Sequence, residues 1–240
     1  MNAIDCRGLH KTYEGFALHD LSFSLPSGTI LGLVGENGAG KSTTLRLLMN
    51  TIGRDAGSVS LLGVDNQSKD FLRVKQDIGI VLDESCLPET LTAREVGKLM
   101  ALTYERWEPE TFSGYLTRFS IPLDKANKDF SRGMKMKLAL AVALSHGAKL
   151  LLLDEATGGL DPFARDELLR ELEDFIADGQ HAVLLSSHIV SDIEKLCGRV
   201  VFLHKGHVLL DEEKDALLAA HPEKTLEDIL LGMIEGGRSV

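Results

Sequence analysis

The chain has 240 residues and only three cysteines, Cys6, Cys86 and Cys197, far apart and odd in number. No CxxC pair and no Cys/His metal spacing occurs. A disulfide framework and a zinc module are therefore excluded, and reduced thiols are the plain reading. Positive charge is also scarce: 26 Lys and Arg stand against 36 Asp and Glu, a formal net charge of −10. A field of that sign repels polyphosphate chains, so no nucleic-acid partner is expected and any phosphate must be held by a focused site. Long apolar runs are missing. The most apolar stretch, LALAVALSHGAKLLLL, is cut by His146, Gly147 and Lys149 and falls short of the ~18 apolar residues of a membrane span. No basic-then-apolar signal opens the chain. The six prolines form no linker, and there is no internal repeat or low-complexity segment. A soluble chain, or one held at a membrane through a partner, is expected. The 44% of hydrophobic residues suffice for one sizeable core.

Strand-like runs alternate with helical ones, which predicts an α/β fold with a largely parallel sheet. The candidate core strands ILGLV, IGIVL, LLLLD and AVLLSS are unbroken apolar runs, as strands covered on both faces are. The opening segment instead alternates in LHDLSFSL, predicting antiparallel strands, and RVVFLHKGHVLLDE predicts a hairpin around Lys205-Gly206. Strand signals vanish between Asp83 and Ser145, where amphipathic patterns predict an inserted helical subdomain. Met100, Tyr104, Trp107, Phe112, Tyr115 and Phe119 fall at mostly helical spacing and are expected to form its small core. The expected organisation is one domain: residues 1–82 and 146–215 form the core with its antiparallel part, 83–145 the helical insert, and 216–240 a short helical tail.

What the chain does contain is GENGAGKST, Gly35 to Thr43. Gly35, Gly40, Lys41 and Ser42 fill G-x-x-x-x-G-K-[ST], between an apolar strand and a helical run. Glycines let successive N–H groups turn inward as an anion nest, and the helix start adds its unpaired N–H groups. Gly35, Asn37, Gly38, Gly40, Lys41, Ser42 and Thr43 are therefore candidates for holding a nucleoside triphosphate, with Lys41 on the outer phosphates and Ser42 on Mg2+. KLLLLDE is an apolar strand ending in two acids. Asp154 is placed to hold Mg2+ opposite Ser42, and Glu155, one residue on, to orient or deprotonate water. His188 follows the strand AVLLSS and could donate to a terminal phosphate from the carboxyl end of the sheet. Asp161 and Ser131 suit helix N-caps, with Pro162 at a first helical position. Tyr13, at the end of the first strand, could stack on a base or be ordinary surface.

This ordered set, spread from about Ala3 to Leu217, resembles the ATP-binding cassette (ABC) ATPases. Tyr13 matches the family's aromatic A-loop, GENGAGKST its Walker A, LLLLDE its Walker B with the catalytic Glu155, GGLDP its D-loop and His188 its switch histidine. Ser131 and Gly133 fall in the signature loop, which reads FSRGM where the family usually has LSGGQ. Similar SRGM variants occur in bacterial exporter ATPases. Asp83 stands where the family has the Q-loop glutamine, and it offers an oxygen to Mg2+. The resemblance implies an ATPase subunit using ATP and Mg2+, with Lys41, Glu155 and His188 catalytic. It implies head-to-tail pairing with a second ATPase subunit, identical or not, and a separate transmembrane permease at the cytoplasmic face of the membrane. A soluble ABC ATPase for complex assembly, of the iron–sulfur type, or an ATP-dependent regulator is the alternative. Coiled-coil DNA-repair members are excluded, because only about ninety residues separate Walker A from the signature, too few for long arms at about 1.5 Å each. GTPases are disfavoured because NKDF at Asn127 lacks the fourth-position aspartate of N-K-x-D.

Overall fold

The computed structural model describes residues 1–82 and 87–236. β1 (Asn2–Tyr13) and β2 (Phe16–Pro26) form a hairpin. Then come β3 (Ile30–Val34), α1 (Lys41–Leu48), β4 (Ala56–Leu61), β5 (Val64–Asp65), the single turn α2 (Phe71–Val74) and β6 (Ile78–Val81). Among the described residues the next three main elements are all helical: α3 (Ala93–Thr103), α4 (Pro109–Arg118) and α5 (Arg132–Leu144). β7 (Leu150–Asp154), α6 (Pro162–Ile176), β8 (Ala182–Ser187), α7 (Val190–Leu196), β9 (Arg199–His204) and β10 (His207–Glu213) complete the core. α8 (Lys214–Ala220) and α9 (Leu226–Gly236) close the described chain. No helix among the described residues is long and apolar enough to cross a membrane.

Two sheets result. β2-β1-β4-β5 is antiparallel, and β10-β9-β3-β8-β7-β6 is parallel except for β10 at its edge. Every residue of β3, β7 and β8 is buried, the pattern of strands with both faces covered. The hairpin at Lys205-Gly206 forms as the sequence predicts, with φ of 48° and 80° at the two turn residues. The β4–β5 hairpin, turning at Leu62-Gly63, has no counterpart in the sequence reading. Its second strand is only two residues long, too short to show a period.

The aromatic residues of the helical stretch do pack together. Trp107 and Phe112 lie 5.0 Å apart, Tyr115 and Phe119 5.6 Å. These side chains also join one hydrophobic cluster with Leu151 and Leu153 of β7. α5 explains the continuity. It lies so close on β6 that a Cβ on Gly79 would stand 2.9 Å from the Ala143 carbonyl oxygen and 3.0 Å from its Cβ. The helical stretch and the sheet therefore share apolar surface, and two small cores merge into one.

Parallel order has a further consequence. β3, β7 and β8 all end on the same edge, with Val34 beside Ser187 and Asp154 beside Ser186. The segments that follow them start from one side of the sheet, where open α/β sheets bind ligands.

Candidate functional site

The glycine-rich loop after β3 runs straight into α1, whose N-cap is Gly40 at φ 113°. Only a residue without a Cβ takes that conformation cheaply, and an added Cβ would meet the Phe16 ring at 3.0 Å. Gly40 offers no side-chain cap and the first turn holds no acid. The helix start is thus left to an anion from outside. A cleft of about 570 Å³ opens there, lined by Gly15, Phe16, Glu36, Asn37, Gly38, Gly40, Lys41, Ser42, Thr43 and Glu155.

Lys41 is 5% exposed. Its ammonium donates to the Gly35 carbonyl at 2.6 Å and the Glu36 carbonyl at 3.2 Å. It also lies 3.0 Å from Glu155 Oε1. Glu155 enters from β7 with a left-handed φ of 51°. That uncommon conformation turns its side chain away from the strand direction that Asp154 keeps. Its N–H bonds the Ser186 carbonyl, and its own carbonyl accepts from Gly158, which holds the turn from both sides. The other carboxylate oxygen, Oε2, accepts from His188 Nδ1 at 2.6 Å and from the His188 N–H at 3.3 Å. A carboxylate only accepts, so the proton of this contact sits on Nδ1. Lys41, Glu155 and His188 therefore form one chain of contacts, with one carboxylate oxygen hydrogen-bonded by His188 and the other ion-paired with Lys41.

Asp154 is 8% exposed, at the end of β7. Its Oδ1 accepts from the Ser186 hydroxyl at 2.8 Å, which fixes the carboxylate's orientation. Ser42 and Asp154 offer hard oxygens only. No cluster of three or more His, Cys, Asp or Glu able to hold a metal occurs among the described residues. That donor set fits Mg2+, which takes one or two protein oxygens and fills its shell with water and phosphate.

Other expected site residues lie apart. Ser131 caps α5, its hydroxyl accepting from the Met134 N–H at 3.3 Å, and neither it nor Gly133 lines the cleft. Asp161 caps α6 by accepting from the Phe163 and Ala164 N–H groups, each at 3.0 Å. These bonds, led by that from Ala164, hold its carboxyl below the usual range. Tyr13 is 42% exposed, under the Lys11 ammonium, and is absent from the cleft wall. Phe16, its cross-strand neighbour, lines the wall instead, a residue the sequence reading passed over. The aromatic directly after the turn glycine in TYEGF was the available signal. Gly15 and Glu36 were also passed over. Asp83 and Cys86 lie outside the described residues. The described thiols are buried, and burial pushes Cys6 up to about 12 and Cys197 further, so neither is reactive.

The family model described as "ABC transporter" matches residues 18–158. The Nod factor export ATP-binding protein I of Rhizobium leguminosarum bv. viciae is 37% identical over 226 residues, covering 90% of this chain and 71% of that protein. The lantibiotic transport ATP-binding protein SrtF of Streptococcus pyogenes is 32% identical over 212 residues, covering 87% and 90%. Among solved structures, an ATP-binding subunit of an ABC transporter superposes with a TM-score of 0.87 at 26% identity, covering 97% of this chain and 99% of that one. The ATP-binding cassette MJ0796, a dimer with ADP and Pi, shares the fold with a TM-score of 0.79 at 21% identity, covering 88% and 98%.

Proposed function

The chain belongs to the ABC transporter family, and from that premise we propose that it is the ATP-hydrolysing subunit of a membrane exporter, working through ATP-driven closure of a dimer. The observation that carries the reading is the Lys41–Glu155–His188 chain, in which Lys41 and Glu155 line the glycine-rich cleft and His188 contacts Glu155 from beside it. It joins a phosphate-binding cation, a carboxylate fit to orient water and a second donor in one place. The fold of an ABC ATPase stands independently of these roles.

In this reading the loop glycines and the start of α1 bind the ATP phosphates through N–H groups. Lys41 moves from the Glu155 carboxylate to the outer phosphates, and Glu155, still held by His188, turns its freed oxygen to water. Ser42 and Asp154 would hold Mg2+, which when bound neutralises charge on the phosphates. Ser131 and Gly133 lie outside their own cleft, so a second copy would present them to the terminal phosphate through the start of α5, where Ser131 caps only one of the free N–H groups. No acid lies in the first turn of α5 to oppose this.

Export rests on two relatives, one named for Nod factor export and one for lantibiotic transport, together with the SRGM form of the signature. The membrane-crossing part would be a separate permease, and this subunit would then sit on the cytoplasmic face. Two measurements test the reading. ATPase activity per molecule should rise with protein concentration, because each site needs two chains; activity independent of concentration rejects closure. Affinity capture from detergent-solubilised membranes should recover a polytopic membrane protein. Recovery of soluble assembly factors instead would favour the complex-assembly alternative.

His188→Ala removes the Nδ1 contact to Glu155 but leaves the phosphate loop untouched. ATP affinity should stay within about 3-fold while kcat falls about 10- to 100-fold, the lower range for losing one positioned donor. Equal losses in binding and turnover would show that His188 serves the loop and not the reaction.

A further inference from the structure

One face of α6 is given over to the helical stretch. Ala164, Glu167 and Glu171 recur at intervals of three and four residues, which stacks them along one side of the helix. Each meets a residue from α4 or α5. At the signature end, a Cβ on Gly133 would stand 3.8 Å from Leu160 and 3.9 Å from Ala164, ordinary packing distance. One turn along α5, Lys137 Nζ lies 2.6 Å from Glu167 Oε2, with its ammonium 5.9 Å from the centre of the Phe119 ring. One turn further along α6, Arg118 Nη2 at the end of α4 lies 2.5 Å from Glu171 Oε1. A second, longer contact joins Arg118 to Asp174 at 3.8 Å.

Glu171 is the unusual member. It is 2% exposed in the middle of a helix, and no catalytic role uses it. Burial pushes its carboxyl up, and Arg118 is the main counter-charge opposing that shift. Drawing α4 away from α6 would leave this carboxylate buried and unpaired, a costly state. Both ends of the arrangement reach functional loops, since α5 begins at the capping Ser131 and α6 at the capping Asp161.

We propose that Lys137–Glu167 is a positioning ion pair that locks the signature helix α5 onto α6, with Arg118–Glu171 holding the neighbouring α4 to the same face, and so sets where Ser131 meets the ATP of a second copy. The proposal rests on the dimer reading above. These four residues touch neither the cleft nor the reacting atoms. They act through the orientation of α5, and the two start loops travel together because the helices behind them are pinned.

The test uses the Glu155→Gln chain, in which ATP should accumulate a dimer, measured by sedimentation. Lys137→Glu and Glu167→Lys, each added to that background, should weaken ATP-dependent dimerisation about 5-fold or more, the scale of one well-placed ion pair turned repulsive. The combined exchange, Lys137→Glu with Glu167→Lys, should recover it to within about 2-fold. ATP affinity of the monomer should be unchanged in all three, which a general loss of folding would not allow. Should the charge-reversed chains fail to fold, Lys137→Met and Glu167→Gln remove the pair without repulsion and should show a smaller loss in the same direction. Normal dimerisation of the single variants, or no recovery in the exchange, overturns the positioning role while leaving the dimer standing. Failure of the Glu155→Gln parent to dimerise with ATP overturns the dimer reading and this inference with it.

Discussion

Glu155→Gln is expected to keep ATP bound, and to bind it more tightly than the parent, while turnover falls about 10²- to 10⁴-fold, the range for losing a positioned general base. The two halves of this expectation have separate causes. Turnover falls because an amide orients water poorly and does not take its proton. Binding tightens because Glu155 is ion-paired with Lys41, at 3.0 Å. The carboxylate stands where a phosphate oxygen would otherwise be attracted, so ATP must first displace it. An amide has no charge to compete with. The net worth of such a pair after desolvation is small, about 1 kcal/mol, so the gain should be about 5-fold. Equilibrium binding of a fluorescent ATP analogue and steady-state phosphate release measure the two quantities. Unchanged phosphate release rejects the catalytic role. Weaker binding rejects the competition between carboxylate and phosphate even if turnover is lost.

Lys41→Ala should weaken ATP binding about 100-fold, more than the loss of one charge-assisted hydrogen bond, about 1.5–3 kcal/mol, would give at its lower end. The excess comes from Glu155. Without Lys41 its carboxylate, 14% exposed, faces the phosphate site with no cation between them. Like charges then oppose each other in a partly desolvated cleft. The double variant Lys41→Ala/Glu155→Gln should therefore bind ATP better than Lys41→Ala alone, by about 10-fold, because the amide removes the like charge. No gain in the double variant would mean that the carboxylate does not oppose the phosphates once the ammonium is removed. A wild-type dissociation constant for Lys41→Ala would contradict the phosphate-loop assignment itself.

Much of this architecture is legible residue by residue. Unbroken apolar runs became β3, β7 and β8, and Lys205-Gly206 made its hairpin. Ser131 and Asp161 became N-caps, and Pro162 took the first helical turn of α6. These are near-neighbour effects, decided by side chains within about four residues of one another. The two-residue strand β5 escaped notice because no period can be read in so short a segment. Tyr13 was the aromatic that the motif picked out, yet Phe16 lines the cleft, because a hairpin decides which of two paired rings faces the loop. The continuity of the helical core with the sheet is not legible in the chain for a related reason. Periodicity shows that a helix has an apolar face, but not that α5 will press that face onto β6 at Gly79.

The sequence by itself determined the elements and the chemical types at their ends: a glycine loop with Lys41 after β3, two acids at the end of β7, a histidine after β8. Those features follow from local backbone rules and from spacing along the chain. Only the tertiary structure decided that Lys41, Glu155 and His188 touch, because that depends on sheet order. β8 lies between β3 and β7 in parallel register, so the three loops leave from one edge. The same holds for Lys137 with Glu167 and Arg118 with Glu171, which look like scattered surface charges until α4, α5 and α6 are packed. Charge at a position can be read from the chain. Its partner cannot, since Coulomb attraction depends on distance in space, and only packing sets that distance.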